Sequence, residues 1–223
     1  MKRITLVALS LVLLAGCASV PRLQQQEQVI EPVAAIQPII LDYQEQAAVI
    51  STAFGEIVLD FFPTVAPLHV ESFLTHARNG YYDGTTFHRV IPGFVIQGGD
   101  PNSRDNDRSN DGWGGAAAKY YEVGNADSTE TWMLPAEFSD RPHRRGALSM
   151  ARSQEFNSAG SQFFICADDV RRLDTKYTVF GEVVRGLEVV DRIVAVPRDS
   201  LDNPLKKVTM TVRLVPRSEI LPD

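Results

Sequence analysis

Histidine and carboxylate side chains at two places in the chain have spacings that could bind a metal ion. His69 and His76 are seven residues apart in a predicted helix and could share one of its faces. Two histidines without a third ligand do not make a zinc site, so we interpret them as surface residues. The run from Asp107 to Gly112 matches the first half of a calcium-binding EF-hand loop, but Ala118 stands where that loop needs a glutamate. A polar surface loop is therefore favoured, and neither a metal site nor a cofactor is predicted.

Arg89 lies inside a long and mostly apolar run. The run reads FHRVIPGFVIQGGD and extends from Phe87 to Asp100. Arginine on a strand is usually a solvated surface residue, so the run by itself leaves open whether this is a site or a surface.

Cys17 ends a segment that is typical of exported bacterial lipoproteins. A basic start at Lys2 and Arg3 precedes an apolar stretch that has signal-peptide length and is too short to span a bilayer. The sequence LAGC at its end resembles the bacterial lipobox, in which the cysteine is acylated and becomes the first residue of the mature protein. We predict a signal peptide at residues 1–16 and lipid attachment at Cys17. The alternative is an ordinary signal, or a buried N-terminal helix, with a cysteine there by chance.

Composition places one globular domain after this anchor. The chain has 223 residues, of which 44% are hydrophobic and 22% charged, as in globular proteins. Its net charge of −6 lacks the positive potential that a phosphate backbone requires, so no nucleic-acid partner is expected. We divide the chain into an acylated N-terminus with a flexible linker at residues 17–46, a domain at 47–216 and a tail at 217–223. Alternatively, residues 29–41 pack onto the domain as an extra strand or helix.

Short strands dominate the pattern after Ala47. Strands are predicted at residues 49–52, 57–62, 85–90, 94–97, 147–151, 162–167, 178–183 and 208–215. One helix is predicted to begin near Pro67 and to end at Asn79-Gly80, and a second, short one covers residues 187–194. Eight strands without a βαβ rhythm favour an all-β fold, a closed eight-stranded antiparallel barrel with two capping helices, over a doubly wound sheet.

Three runs in this domain together resemble the cyclophilin-type peptidyl-prolyl isomerases. The first is the run around Arg89, the second is GALSMAR followed by NSAGSQFFI from Gly146 to Ile165, and the third is LDTKYTVFG from Leu173 to Gly181. They occur in the family's order, and the resemblance extends over about residues 47–215. It implies a cyclophilin-like barrel whose packed interior leaves the site on the outer surface, and an enzyme that catalyses rotation about X-Pro peptide bonds.

The resemblance also implies a set of site residues. Arg89 would be the catalytic donor, with Phe94 and Gln97 beside it. An X-Pro bond rotates over a barrier of roughly 18 to 20 kcal/mol, and the twisted amide nitrogen regains a lone pair that a guanidinium can hydrogen-bond. The peptide would be bound by the remaining members of the set, which are Val95, Ala151, Arg152, Gln162, Phe164, Leu173 and Tyr177.

Four positions depart from the best-known eukaryotic pattern of the family. Arg172 stands where tryptophan is common, Tyr177 where histidine is, Arg152 where asparagine is, and Val95 where methionine is. Tyr177 keeps a ring and Val95 stays apolar, so catalysis is still expected. Arg172 lacks the indole that contacts cyclosporin in the family, so weak binding of that drug is expected.

The expected partners are proline-containing polypeptides and, through the lipid, a membrane. We predict a monomeric isomerase of the bacterial envelope that faces the periplasm and assists the folding of exported proteins. Because Ala18 rather than aspartate follows the lipid-bearing cysteine, the outer membrane is the expected location. The alternative function is a noncatalytic module or scaffold that holds proline-containing segments, with specificity supplied by the long segment 101–145.

Overall fold

The computed structural model describes residues 43–220, so Cys17, residues 29–41 and most of the predicted linker lie outside the described part. A hairpin comes first, with β1 (Gln46–Thr52) antiparallel to β2 (Gly55–Phe61). Its turn needs glycine because Gly55 has φ 124°, in the left-handed region. The Thr52 hydroxyl stabilises the turn, since it accepts from the Phe54 N–H and donates to the Gly55 carbonyl, both at 3.0 Å.

The other elements follow the predicted order closely. They are helix α1 (Pro67–Arg78), strands β3 (Arg89–Ile91), β4 (Val95–Gly98), β5 (Ala147–Met150), β6 (Phe163–Cys166) and β7 (Val179–Arg185), helix α2 (Leu187–Val194) and strand β8 (Met210–Pro216). Neither helix in the described part has the roughly 20 apolar residues that a membrane span requires.

All eight strands form one antiparallel sheet, in the order β3-β4-β6-β5-β7-β2-β1-β8. The prediction of a closed barrel is wrong, because the two edge strands of the described sheet, β3 and β8, do not pair in a ladder. The predicted strand 85–90 begins as a strand only at Arg89, and before it one isolated bridge joins Thr86 to Thr209. The sheet is therefore a curled, open half-barrel, with a few backbone bonds such as Phe87 N–H to Val208 O at 2.9 Å across the gap.

Alternate residues of each strand point to opposite faces of this sheet. On β4 and β6, Ile96, Phe163 and Ile165 belong to the large inner cluster, in which both helices also bury apolar side chains. Val95 and Phe164 lie on the outer face, in a second and smaller apolar cluster. Because the inner face is filled by side chains, a ligand can be bound only on the outer face or at the rims of the sheet.

The two helix histidines are buried, so the prediction that they are surface residues is wrong. His69 Nδ1 lies 2.6 Å from Glu137 Oε2, and the same carboxylate accepts the Leu68 and His69 backbone N–H groups in the first turn of α1. His76 Nε2 lies 2.9 Å from Ala116 O. Burial lowers the pKa of His76 from 6.5 to about 4, although the carbonyl partly opposes this. Both histidines fasten α1 to the long segment that follows β4.

That long segment is organised by a buried aspartate. Asp100 accepts the Asn102 N–H at 2.9 Å and also the Gly112 N–H, which folds residues 101–112 back onto the end of β4. The predicted polar loop is confirmed at 107–112. Asp107 accepts the Ser109 N–H and hydroxyl, and Asp111 accepts from Asn203 at 2.6 Å. Asp107 and one oxygen of Asp111 are thus hydrogen-bonded, whereas Asp111 Oδ1 is buried and has no hydrogen-bond partner in the described residues. Residues 43–220 contain no cluster of three metal-binding side chains.

Candidate functional site

A row of four side chains crosses the outer face of the sheet. Strand register pairs Arg89 of β3 with Gln97 of β4, Gln97 with Phe164 of β6, and Phe164 with Ser149 of β5. Directly paired residues of antiparallel strands project from the same face. The register therefore places an arginine, an amide and an aromatic ring side by side, although β4 and β6 are far apart in sequence.

Two glutamine amides orient the arginine through a directional chain of hydrogen bonds. Arg89 Nη1 donates to Gln97 Oε1 at 3.3 Å, and Gln97 Nε2 donates to Gln162 Oε1 at 2.9 Å. Gln162 Nε2 in turn donates to Gly112 O at 2.9 Å and to Gly114 O at 2.8 Å. Each amide thus accepts on one side and donates on the other. The chain ends on the backbone of the long segment, which fixes both glutamines.

Two guanidinium groups lie over one aromatic ring at the edge of this row. Arg172 Cζ is 4.3 Å from the centroid of the Phe94 ring, and Arg89 Cζ is 5.8 Å from it. Both contacts are within the range of a cation–π interaction. Phe94 therefore contacts both cations, and its ring limits the orientations open to Arg89.

The sequence-predicted residues enclose a small hollow of about 130 Å³ beside Arg89. Its walls are Arg89, Phe94, Val95, Gln97, Ala151, Arg152, Phe164, Leu173 and Tyr177. The remaining predicted residue, Gln162, lines an adjoining hollow of about 370 Å³ that also shares Gln97, Ala151 and Arg152. The structure thus brings together all ten predicted residues of the groove, while Cys17 lies outside the described residues.

Arg152 has a different environment from that of Arg89. Its Nε and Nη2 donate to Lys176 O at 3.1 and 2.7 Å, and its Nη1 donates to Ser153 O and Gln154 O at 2.8 and 3.1 Å. Its Cζ also lies 4.5 Å from the centroid of the Tyr177 ring. Most of its N–H groups are therefore used to join two loops. Arg152 presents a fixed positive charge to the groove rather than a set of free donors.

Two further residues at the site were not predicted from the sequence. Trp113 is 86% exposed and stands between the 370 Å³ hollow and a third hollow that contains His88. Its position between Gly112 and Gly114 in the sequence was the available signal, since glycines mark loops and loops often carry binding residues. His143 lies in the charged run from Asp140 to Arg145, a composition that predicts a solvated turn, but it is fully buried behind Phe164. No local sequence pattern indicates that contact.

The chain is similar to known proteins of one family. The family model described as "Cyclophilin type peptidyl-prolyl cis-trans isomerase/CLD" matches residues 47–213, and that of the prokaryotic membrane lipoprotein lipid attachment site matches residues 1–18. A probable peptidyl-prolyl cis-trans isomerase of Brucella abortus is 39% identical over 183 residues, which cover 81% of this chain and 89% of the relative.

Solved structures give the same likeness. A cyclophilin-type isomerase of Cryptosporidium parvum, crystallised in the presence of the dipeptide Ala-Pro, has a TM-score of 0.65 and is 30% identical. The match covers 77% of this chain and 99% of that one. These matches, together with the half-barrel fold, show that the chain belongs to the cyclophilin-type peptidyl-prolyl cis-trans isomerases. It also has a lipoprotein lipid attachment site at its N-terminus.

Proposed function

We propose that this isomerase acts on X-Pro bonds of exported proteins through Arg89, from a lipid-anchored position in the bacterial envelope. The observation that carries the mechanistic part is the chain of hydrogen bonds from Arg89 through Gln97 to Gln162 beside a small apolar hollow. Arg89 makes one side-chain hydrogen bond within the described residues, from Nη1. Its other N–H groups are available to a substrate.

The reaction forms and breaks no covalent bond. As the peptide bond twists, amide resonance is lost and the prolyl nitrogen becomes pyramidal, with a lone pair that can accept a hydrogen bond. Arg89 donates to this lone pair, which exists only near the transition state, so the contact lowers the barrier without tightening ground-state binding. A reduction of about 6 kcal/mol is worth around four powers of ten in rate.

The hollow beside Arg89 suits a proline ring. Phe94, Phe164 and Leu173 provide apolar surface, and the ring would displace water from all three side chains. The larger adjoining hollow, with Trp113 at its rim, would take the neighbouring residues of the client chain. A polypeptide bound across both hollows would place its X-Pro bond next to Gln97 and within reach of Arg89.

The cellular location is proposed on the N-terminal sequence. Acylation of Cys17 would hold the mature chain on a membrane, since each buried methylene contributes about 0.8 kcal/mol. The predicted linker at 17–46 would let the domain at 47–216 face the periplasm as a monomer, and Ala18 favours the outer membrane over the inner. There the enzyme would accelerate slow X-Pro steps in the folding of exported proteins.

An exchange experiment on the full chain tests the activity. Two-dimensional NMR exchange spectroscopy on a tetrapeptide that contains Ala-Pro should give cis–trans cross-peaks at catalytic amounts of protein. A noncatalytic module that only holds proline-containing segments would shift the peptide resonances without adding exchange. Binding without added exchange would therefore overturn the enzymatic proposal in favour of this alternative.

A further inference from the structure

Three aromatic rings form a cluster on the protein side of the proposed proline hollow. The His143 ring stacks on that of Phe164, with centroids 6.0 Å apart and planes at 18°. Tyr177 meets both rings edge-on, at 5.8 Å from Phe164 and 6.4 Å from His143. Phe164 and Tyr177 line the hollow, whereas His143 is fully buried and does not. His143 therefore supports the wall of the hollow from the side that a substrate cannot reach.

Hydrogen bonds hold the His143 ring at both nitrogens. Nε2 lies 3.0 Å from Ser149 Oγ and Nδ1 lies 3.2 Å from Asp174 Oδ1, which also accepts the His143 backbone N–H at 2.7 Å. Ser149 is the β5 partner of Phe164 in the sheet, and Asp174 directly follows Leu173 of the hollow. The imidazole thus joins strands β5 and β6, which carry Phe164, to the loop that carries Leu173.

The charges around the ring fix its tautomer. Desolvation of the Asp174 carboxyl is outweighed by hydrogen bonds from the His143 N–H and from Arg171, so its pKa is lowered. Burial lowers the pKa of His143, although Asp174 opposes this, so the ring is neutral at pH 7. Ionised Asp174 only accepts, so Nδ1 carries the proton of the neutral ring. The Ser149 hydroxyl donates to Thr178 O at 2.9 Å and lies 3.0 Å from Nε2 on its other side.

These residue types are also those of a hydrolytic triad, but the surroundings exclude that chemistry. Ser149 is fully buried, and its hydroxyl lies between the imidazole and the Thr178 carbonyl. A nucleophile must approach a substrate carbonyl to within about 3 to 3.5 Å, and no substrate reaches this serine. The cluster therefore acts on the groove through the position of its rings.

We propose that His143 is a positioning residue for the isomerase reaction, which fixes the Phe164 and Tyr177 rings that receive the proline. The inference rests on the proposed function, since it assigns the hollow beside Arg89 to the substrate. Without the imidazole, the Phe164 ring can settle into the vacated space, and the proline then binds a deeper and less defined surface. Arg89 keeps its hydrogen bond to Gln97 in that case, so substrate binding is affected more than the chemical step.

Three substitutions at His143 separate the ring from its hydrogen bonds. His143→Phe keeps a ring, His143→Asn keeps a donor near Asp174 without a ring, and His143→Ala removes both. In the full chain, below the melting temperature of each variant, we expect KM for an Ala-Pro tetrapeptide to rise three- to tenfold in His143→Ala and His143→Asn. We expect kcat to change less than twofold, and His143→Phe to keep KM within twofold of the wild type.

His69 provides the matched control. It is also buried, pairs with a carboxylate and packs beside an aromatic ring, at 6.3 Å from Phe180, but it lies on the inner side of the sheet. His69→Ala should lower the melting temperature without changing KM. If KM rises in both alanine variants, the cause is a general loss of stability and His143 has no special role.

The measurements distinguish failure of the positioning role of His143 from failure of the proposed function. If the wild type is active and both His143→Asn and His143→Ala keep its KM, the positioning role is overturned. It is equally overturned if folded His143→Phe shows the same rise in KM as His143→Asn. If the wild type gives no exchange at all, the proposed function fails instead. The dissociation constant of the same peptide, from an NMR titration of each variant, then still decides the role of His143.

Discussion

Arg89, the proposed donor, is restricted by its neighbours. The guanidinium lies beside Phe94 on one side and is held by Gln97 on the other, while Gln97 is held by Gln162. A flexible arginine would lose side-chain entropy of up to about 2 kcal/mol on each turnover, and these contacts remove part of that cost before the substrate binds. The same reasoning separates the roles of Arg89 and Arg152, since most of the donors of Arg152 are bonded to loop carbonyls.

Substitution of Arg89 tests the donor directly. Arg89→Ala should lower kcat/KM by about a hundredfold or more, as the loss of a preorganised donor does elsewhere. Arg89→Lys should recover little of it, because a single flexible ammonium lacks the planar fork. Gln162→Ala should cost less, about tenfold, since Arg89 keeps its charge and loses only orientation. Rates from NMR exchange give all three values, and near-full turnover by Arg89→Ala would show that another residue is the donor.

The strands position the site through close backbone contacts as well as through register. Strand β4 carries Val95 and Gln97 on its outer face and ends at Gly98, against the segment that leads into β3. A β-carbon at Gly98 would come within 2.9 Å of Thr86 O and 2.6 Å of Met210 Cε. The carbonyl is part of the backbone beside the single bridge across the gap, so it cannot move away freely. Glycine at this position lets the sheet curl.

Gly98→Ala should therefore disturb both stability and catalysis. We expect the free energy of unfolding to fall by about 1 to 3 kcal/mol, as for overpacked sites, and kcat/KM to fall because Gln97 is displaced. Gly93→Ala is the control, because nothing lies within 4 Å of its β-carbon and only its φ of +69° is unfavourable for alanine. Urea unfolding of both variants checks this, and equal losses with unchanged kcat/KM would contradict the close-contact argument.

Buried histidines link the stability of the whole domain to pH. Burial lowers the pKa of His76, His88 and His143, so in each case the unfolded chain binds a proton more readily than the folded chain does. The stability that these neutral histidines contribute is therefore fully present above the histidine pKa of the unfolded chain, about 6.5. It decreases as the pH falls below that value. For His76, with a folded pKa of about 4, the loss would reach on the order of 3 kcal/mol near pH 4.

Urea unfolding between pH 4.5 and 8 measures this dependence. His76→Gln, which keeps an amide donor near Ala116 O, should reduce the slope of stability against pH between 4.5 and 6.5. A slope of stability against pH that is unchanged in His76→Gln would show that other groups cause the acid sensitivity.

The rate of isomerisation should stay nearly flat from pH 6 to 8, because the guanidinium of Arg89 exchanges no proton there.

The proposed attachment of the whole molecule to a membrane depends on the side chain of Cys17. Cys17→Ser should abolish acylation, and the chain should then partition away from the detergent phase unless its apolar segment is retained as an anchor. Metabolic labelling with a fatty acid checks the modification itself. Absence of label from the wild type would exclude lipid attachment, whatever the fractionation shows.

The sequence by itself determined the order of the elements and the membership of the groove. Alternation and turn residues predicted the hairpin, both helices and most of the strands, because these patterns depend on neighbours a few residues apart. The three runs that resemble the family carried the groove residues, since a motif preserves residue types together with their spacing. The same runs gave no information on how Arg152 uses its donors or on what lies behind Phe164.

Tertiary structure alone decided the properties that depend on distant partners. His69, His76 and His143 look solvated in the sequence, but each is buried against a segment more than 25 residues away, through Glu137, Ala116 and Asp174. The open edge of the half-barrel has the same kind of cause. Whether β3 and β8 pair depends on where the chain places two segments more than 100 residues apart, and hydrophobic periodicity carries no information on that distance.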